Sequence, residues 1–307
     1  MMGRPAILDS LAPLLACSNR TQDCVLAVII DVEGPSYRPV GAMMTVLRDG
    51  LLTVGSLSSG CVEADIKLHA QDCLNSGVAK VLRYGRGSPY RDIVLPCGGG
   101  LQIILIPNPN REIIDQLLKT VQKERQTCSY EINCRTGAIS MGKGSEIRDA
   151  VFRGEILPEI KFLIFGKGPE VTTFAALLQT ANYQTTLLSP DTTTLEEAKQ
   201  IGCQTFELEQ PKFPDDIHPD PRTAIILFFH DHDWEPPILY DALLTSAFYI
   251  GAQGSKRTRD NRIIELRDLG ISEHNLERLH GPIGLINSAR DPRTLAISVL
   301  AEVISLA

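Results

Sequence analysis

Apolar positions follow two different rhythms along the chain. In the first half, "CVLAVIIDVEG" (24–34) is a run rich in β-branched residues that ends in Gly and predicts a strand. Asp49-Gly50 separates two apolar runs in "AMMTVLRDGLLTVGS", a short-range hairpin signal. "CVEADIKLHAQDCLNSG" (61–77) places Val62, Ile66, Leu68 and Cys73 near one helical face, with Gly77 positioned as a C-cap. "LQIILIP" (101–107) predicts a buried strand, and a helical pattern runs from Arg111 to about Lys123. From Cys128 to Pro158 the periodicity weakens, and "YEINC" and "AVFRGEIL" alternate with Gly-containing turns.

The second half alternates strand and helix. "KFLIF" (161–165) leads into Gly166-Lys167-Gly168, a helix through "EVTTFAALLQTAN" and the strand "YQTTLLS". "TAIILFF", a helix through "PPILYDALLTSA", the strand "FYIG" and two further helices follow. That order predicts a doubly wound parallel sheet. The expected class is α/β: a mixed α+β domain over 1–127, a stretch over 128–158 that ends it and serves as linker, and a Rossmann-like domain over 159–307.

Composition narrows the function classes. The chain has 307 residues, 43% hydrophobic and 22% charged, as in an ordinary globular protein. Its net charge of -7 argues against a nucleic-acid partner. Without a membrane-length apolar run, and with "MMGRPAILDS" lacking a signal-peptide core, a cytoplasmic protein with reduced cysteines is expected. The eight cysteines show no zinc spacing; Cys128 and Cys134 have no second pair beside them.

Gly166-Lys167-Gly168 between strand and helix is the first part of a dinucleotide fingerprint, because glycines let backbone approach a phosphate at the helix dipole's positive end. Val171 stands where a third small residue would sit, and the second strand ends in Ser189 instead of an acid; Asp191 serves only if the Ser189-Pro190 bend aims it correctly. NAD(P) is therefore a secondary expectation, with an NAD(P)-dependent oxidoreductase as the alternative function.

Cys61 follows Ser58-Ser59-Gly60 at a predicted helix start, where backbone N–H groups favour a thiolate and Glu63 opposes it. Cys97 precedes Gly98-Gly99-Gly100, a tract that packs nothing as a strand and makes sense beside a ligand. Cys17, Cys24, Cys73 and Cys203 read as packing residues. Arg38 lies on a Pro- and Gly-rich loop suited to an anion contact. After Gly254-Ser255, Lys256, Arg257, Arg259 and Arg262 crowd the start of a helix, against its dipole, which points to an anionic ligand. "FFHDHDW" sets His230, Asp231, His232 and Asp233 at a strand end without a full metal set, and His280 reads as a hydrogen-bonded structural histidine.

Together, "GPSYRPVGAMMTVLRDGLLTVGSLSSGCVEADI", "LPCGGGLQIIL", "FGKGPEV", "FYIGAQGSKRTRDNR", "RLHGPIGL" and "ARDPRTLAISVLAEV" resemble the XdhC/CoxI family, in order and over nearly the whole chain. These are accessory proteins of molybdenum hydroxylases such as xanthine dehydrogenase and carbon monoxide dehydrogenase. The resemblance implies an N-terminal XdhC/CoxI domain joined to a Rossmann-like domain. It also implies a chaperone, more than a turnover enzyme, that binds the molybdenum cofactor (molybdopterin), supports its sulfuration and delivers it to the apoenzyme. Carried over by motif, Cys61 and Cys97 come near the metal, with Cys61 as the metal contact, and Arg38 meets cofactor or partner. Gly60, Gly98, Gly99, Gly166, Gly168, Gly254, Ser255, Arg257 and Arg262 become cofactor-binding candidates. The expected partners are the hydroxylase apoenzyme, a cysteine desulfurase and a second copy of the chain. Ser59 stands where the family usually has a second Gly, and Ser189-Pro190 where it usually has an Asp-led strand end.

Overall fold

The computed structural model describes residues 6–7, 10–48, 52–58, 60, 62–88, 98–142, 150–229 and 233–307. The chain divides into two units, Met1–Pro158 and Glu159–Ala307.

In the first unit, β1 (Ala6–Ile7) and α1 (Ala12–Ser18) precede β2 (Cys24–Glu33), β3 (Met43–Leu47) and β4 (Thr53–Gly55). Then come α2 (Glu63–Ser76), β5 (Lys80–Gly85), β6 (Gly100–Pro107) and α3 (Arg111–Leu118), whose last turns widen to π geometry over Lys119–Lys123. Strands β7 (Cys128–Asn133), β8 (Ile139–Met141) and β9 (Val151–Ile156) complete it. One sheet is antiparallel in the order β4-β3-β2-β6-β5; the other runs β1-β9-β7-β8.

The unbroken apolar run of β2 follows from burial on both sheet faces, since alternate side chains of a strand point to opposite sides. Leu26 and Val28 enter one core with Leu14 of α1, Ile114 and Leu117 of α3 and Tyr130 of β7. Val25, Ala27 and Ile29 enter another with Ile66, Ala70 and Cys73 of α2. Two details of the sequence reading change. Leu68 is 64% exposed; the buried stripe of α2 passes through Ala70, four residues beyond Ile66, and position 68 falls on the opposite side. The stretch read as the end of the first domain and a linker supplies three strands of the second sheet, β7 to β9. β7 alternates, with Cys128, Tyr130 and Ile132 buried and Ser129 and Asn133 exposed, while β9 is half-buried along most of its length and so carries a weaker apolar signal.

The second unit contains β10 (Lys161–Gly166), α4 (Pro169–Thr180), β11 (Gln184–Ser189), α5 (Thr192–Gln200), β12 (Gln204–Glu207) and β13 (Thr223–Phe228). It continues with α6 (Glu235–Leu243), β14 (Tyr249–Ala252), α7 (Lys256–Asp268), the single-turn α8 (Glu273–Leu276), β15 (Leu279–His280) and α9 (Pro292–Ser305). All pairings are parallel, in the order β12-β11-β10-β13-β14-β15. This is the Rossmann order, and connections from β10 and β13 leave in opposite directions, opening a crevice at their carboxyl ends. Phe162, Ile164 and Ile226 pack under α4, α5 and α9. Leu163, Phe165, Ile225 and Leu227 pack under α6, α7 and α8 on the other face.

Candidate functional site

The first unit's candidate site is the loop between β4 and α2. Helix α2 begins at Glu63, and its N-cap, Val62, has no polar side chain to offer. Glu63 turns back to do the capping. Its Oε1 accepts from Ser56 Oγ (3.0 Å), Leu57 N (3.1 Å) and Ser58 N (2.8 Å). Its Oε2 accepts from Ser58 Oγ (2.6 Å), Gly60 N (2.9 Å) and Val62 N (3.3 Å). Burial alone would raise this carboxyl's pKa; the bonds from the Ser58 side chain and backbone and from Leu57 outweigh it and hold the group at about 2. Gly60, at φ +105 with open space where a Cβ would stand, is glycine because of its backbone conformation.

Glu63 is the residue the sequence reading undervalued. It entered only as a charge opposing a Cys61 thiolate, whereas it gathers the N–H groups of this turn and the helix dipole onto its own carboxylate. The available signal was a run of small residues, Ser58-Ser59-Gly60, with an acid three positions after its last member at a helix start. Cys61, Cys97 and the His230–His232 segment lie outside the described residues, as does the turn at Asp49-Gly50.

The glycine tract has a structural reason that the sequence did not show. A Cβ on Gly99 would land on the carbonyl oxygen of Pro35 and 2.9 Å from that of Glu33. Gly100 pairs with both Glu33 and Gly85 in the sheet. Gly98 adopts φ +71 facing open space. Close backbone packing thus accounts for Gly99, where a ligand's approach was expected. Arg38 lies half-buried on the loop after β2; its amide donates to Ser36 Oγ (3.3 Å), and that hydroxyl donates to its carbonyl (2.8 Å).

At the carboxyl end of the parallel sheet, Gly168 has φ +87 and begins α4. Its N–H, the donor a dinucleotide phosphate would use, is given to Thr194 Oγ1 at 3.0 Å. Thr194 in turn donates to Asp191 Oδ2 (2.6 Å), and Asp191 also accepts from the Thr194 amide (2.8 Å), capping α5. Those bonds hold the Asp191 carboxyl below the usual range. Asp191 is therefore aimed at its own helix instead of at a ribose. At Gly166 a Cβ would meet Phe228 Cβ at 2.9 Å, so strand packing requires the glycine.

On α7, Ser255 caps the helix by accepting from Thr258 N (3.1 Å), and Arg257 is exposed. Gly254 takes φ +146, with Thr258 within 3.1 Å of its missing Cβ. Arg262 departs from the expectation. It is 4% exposed and donates to Glu235 Oε2 through Nη2 (2.6 Å) and Nε (3.2 Å), and to the Gln253 carbonyl (2.9 Å). A cavity of about 220 Å³ beside it is also lined by Glu235 and Glu265, an acidic surplus unsuited to an anion. Arg262 ties α7 to α6. His280 stacks on Tyr249 and lies 3.6 Å from the Glu302 carboxylate, an ion-pair distance where the sequence suggested a hydrogen bond. Among the described residues, no group of three or more His, Cys, Asp or Glu is placed to hold a metal ion, and no helix is long and apolar enough to cross a membrane.

Fold and site define a two-unit protein: a mixed sheet unit whose glycine- and serine-rich loop is gathered by one carboxylate, and a Rossmann-like unit whose phosphate turn is closed by its own side chains. Residues 17–85 match the XdhC and CoxI family, and residues 162–303 match the XdhC Rossmann domain. The chain is 33% identical to the molybdenum cofactor insertion chaperone PaoD of Escherichia coli, over 92% of this chain and 83% of that one. It is 22% identical to a Bacillus subtilis protein named as a probable xanthine dehydrogenase subunit, over 92% and 93% of the two chains. A crystal structure described as a xanthine dehydrogenase from Bacillus halodurans superposes with a TM-score of 0.77 at 23% identity, covering 95% of this chain and 94% of that one, which shows a shared fold. The chain belongs to the XdhC and CoxI family.

Proposed function

We propose that this chain is a molybdenum cofactor insertion chaperone. It takes the cofactor as cargo, holds it while its sulfido ligand is installed, and delivers it to a molybdenum hydroxylase apoenzyme such as xanthine dehydrogenase, in the cytoplasm. The observation that carries this reading is the likeness to PaoD along nearly the whole chain. The loop collected by Glu63 supports it, because one half-buried carboxylate holding Ser56, Leu57, Ser58, Gly60 and Val62 is a fixed anchor beside the candidate site.

In this reading Cys61 meets the molybdenum or its sulfur, since a soft thiolate suits both. Cys97, Arg38, Gly60 and Gly98 belong to the same cargo site, and a cysteine desulfurase supplies the sulfur. The chain works as a homodimer. The phosphate turn closed by Thr194 and Asp191 disfavours the oxidoreductase alternative.

Metal and pterin analysis of protein purified from a cofactor-producing host tests the reading. Wild-type protein is expected to carry near-stoichiometric molybdenum and pterin and to activate a cofactor-free hydroxylase, and Cys61→Ser to lose most of both. Metal-free, pterin-free wild-type protein that binds NAD(H) instead would overturn it.

A further inference from the structure

Two cysteines far from the Glu63 loop in sequence form a sulfur pair inside the first unit. Cys17, in the last turn of α1, and Cys24, the first residue of β2, are both fully buried, with Sγ atoms 3.7 Å apart. Their surroundings differ. Thr45 donates its hydroxyl proton to the Pro13 carbonyl (2.7 Å), so toward Cys17 Sγ, at 3.2 Å, it presents a lone pair that receives the Cys17 thiol proton. Arg20 Nη1 instead donates to Cys24 Sγ at 3.3 Å, while its Nη2 donates to the Pro109 carbonyl (3.1 Å). One sulfur thus keeps its proton and the other faces a guanidinium. Half-buried Asp23 separates Cys24 from the exposed residues Thr21 and Gln22, and Arg20, whose guanidinium covers the sulfur, is itself only half-buried.

We propose that Cys17 and Cys24 are a modification site: a dithiol that hydroperoxides oxidise to an intramolecular disulfide, with Cys24 as nucleophile and Cys17 as resolving thiol. When Cys24 ionises, the Cys17 S–H turns from Thr45 to the Cys24 sulfur; that bond and the Arg20 guanidinium, working against burial and the Asp23 carboxylate, lower the Cys24 thiol's pKa below its ordinary value. The same bond, together with burial, pushes Cys17 up. Burial pushes the thiols of Cys73, Cys128, Cys134 and Cys203 up as well, which makes them internal controls.

The chemistry balances with peroxide as oxidant. Cys24 thiolate attacks one peroxide oxygen; an S–O bond forms, the O–O bond breaks, and the departing hydroxide takes up the proton that Cys24 had released. The product is a sulfenic acid. Cys17 sulfur then attacks the Cys24 sulfur; the S–S bond forms, the S–O bond breaks, and the leaving hydroxide takes the Cys17 proton as water. Two electrons pass from the thiols to peroxide, which ends as two waters. A disulfide needs its sulfurs about 2.05 Å apart, so the pair closes from 3.7 Å as the bond forms. The bond ties the end of α1 to the start of β2.

The test uses the full-length protein, hydrogen peroxide in slight excess near neutral pH, an alkylating quench and peptide mass spectrometry without reductant. The expected result is a reducible Cys17–Cys24 cross-link that forms while Cys73, Cys128, Cys134 and Cys203 still alkylate. Its rate should rise with pH around a midpoint below the ordinary thiol value, and Arg20→Met should slow it on the order of tenfold at neutral pH by withdrawing thiolate stabilisation. In Cys17→Ser protein the sulfenic acid should persist on Cys24 and react with dimedone. Wild-type protein whose control thiols oxidise before any Cys17–Cys24 link forms, or a rate midpoint at the ordinary thiol value near 8.5, would overturn the proposal. These readouts require no molybdenum cofactor, so they fail or succeed separately from the chaperone reading.

Discussion

Among the described residues Glu63 accepts six hydrogen bonds, three at each oxygen, and that makes it sensitive to a minimal change. Gln in its place has one oxygen and one NH2, so three donors would face a donor. Glu63→Gln and Glu63→Ala should therefore destabilise the protein alike, by about 1–3 kcal/mol for lost charge-assisted bonds, read from urea unfolding. Both should lower cofactor content; a Gln variant of wild-type stability would remove Glu63 from this role. The pH dependence has a definite sign. A carboxyl held at about 2 in the folded state, below its ordinary 4.5, contributes stability above that ordinary value and loses it as pH falls toward 2. The stability gap between wild type and Glu63→Gln should thus be constant from neutral pH to about 5 and close progressively below 4.5. As a residue Glu63 was in plain view in the sequence. Its role was hidden because donors from Ser56, Leu57, Ser58, Gly60 and Val62 converge only when the loop closes on itself.

At the scale of elements, the buried Arg262–Glu235 pair joins α7 to α6, with both side chains 3% exposed. Removing one member leaves a buried charge without its counterion, so Arg262→Met should cost about 3–5 kcal/mol in chemical denaturation. The double change Arg262→Met with Glu235→Leu should recover most of that loss, because two apolar residues carry no desolvation penalty. A single variant of wild-type stability would show that the pair is not a clamp. The basic start of α7 was legible as a charge run, but a linear pattern does not tell an outward arginine from an inward one. Arg257 points to solvent and Arg262, five residues on, faces α6. The parallel strands were the easiest elements to read, because "KFLIF" and "TAIILFF" are buried on both faces and need no alternation.

Among the described residues each unit has its own cores, two in Met1–Pro158 and two in Glu159–Ala307. The fragment Glu159–Ala307 expressed alone should therefore unfold cooperatively with a defined Tm, followed by circular dichroism; a fragment without a transition would mean its cores are not self-sufficient. For the full chain, thermal-shift titration separates cargo binding from nucleotide chemistry. Ligand that binds only the native state raises the apparent Tm, so molybdopterin should stabilise and NAD(H) should not. A shift with NAD(H) alone would favour the oxidoreductase alternative despite the bond from Gly168 to Thr194.

Periodicity, turn residues and motif spacing were enough, read along the chain, to set out strand, helix, fold class and family resemblance, because each is a local or sequential property of a polymer with fixed repeats. What they left open were facts of convergence. Gly99 is glycine because the backbone at Glu33 and Pro35 comes against it. Asp191 turns to Thr194 and Arg262 to Glu235 because the packed sheet and helices bring those partners within hydrogen-bond reach. Cys17 and Cys24, two packing residues by sequence, become a sulfur pair only when α1 folds back beside β2. Hydrogen bonds and ion pairs act over a few ångströms, so a side chain's partner is decided by tertiary structure even where its place in an element is already written in the sequence.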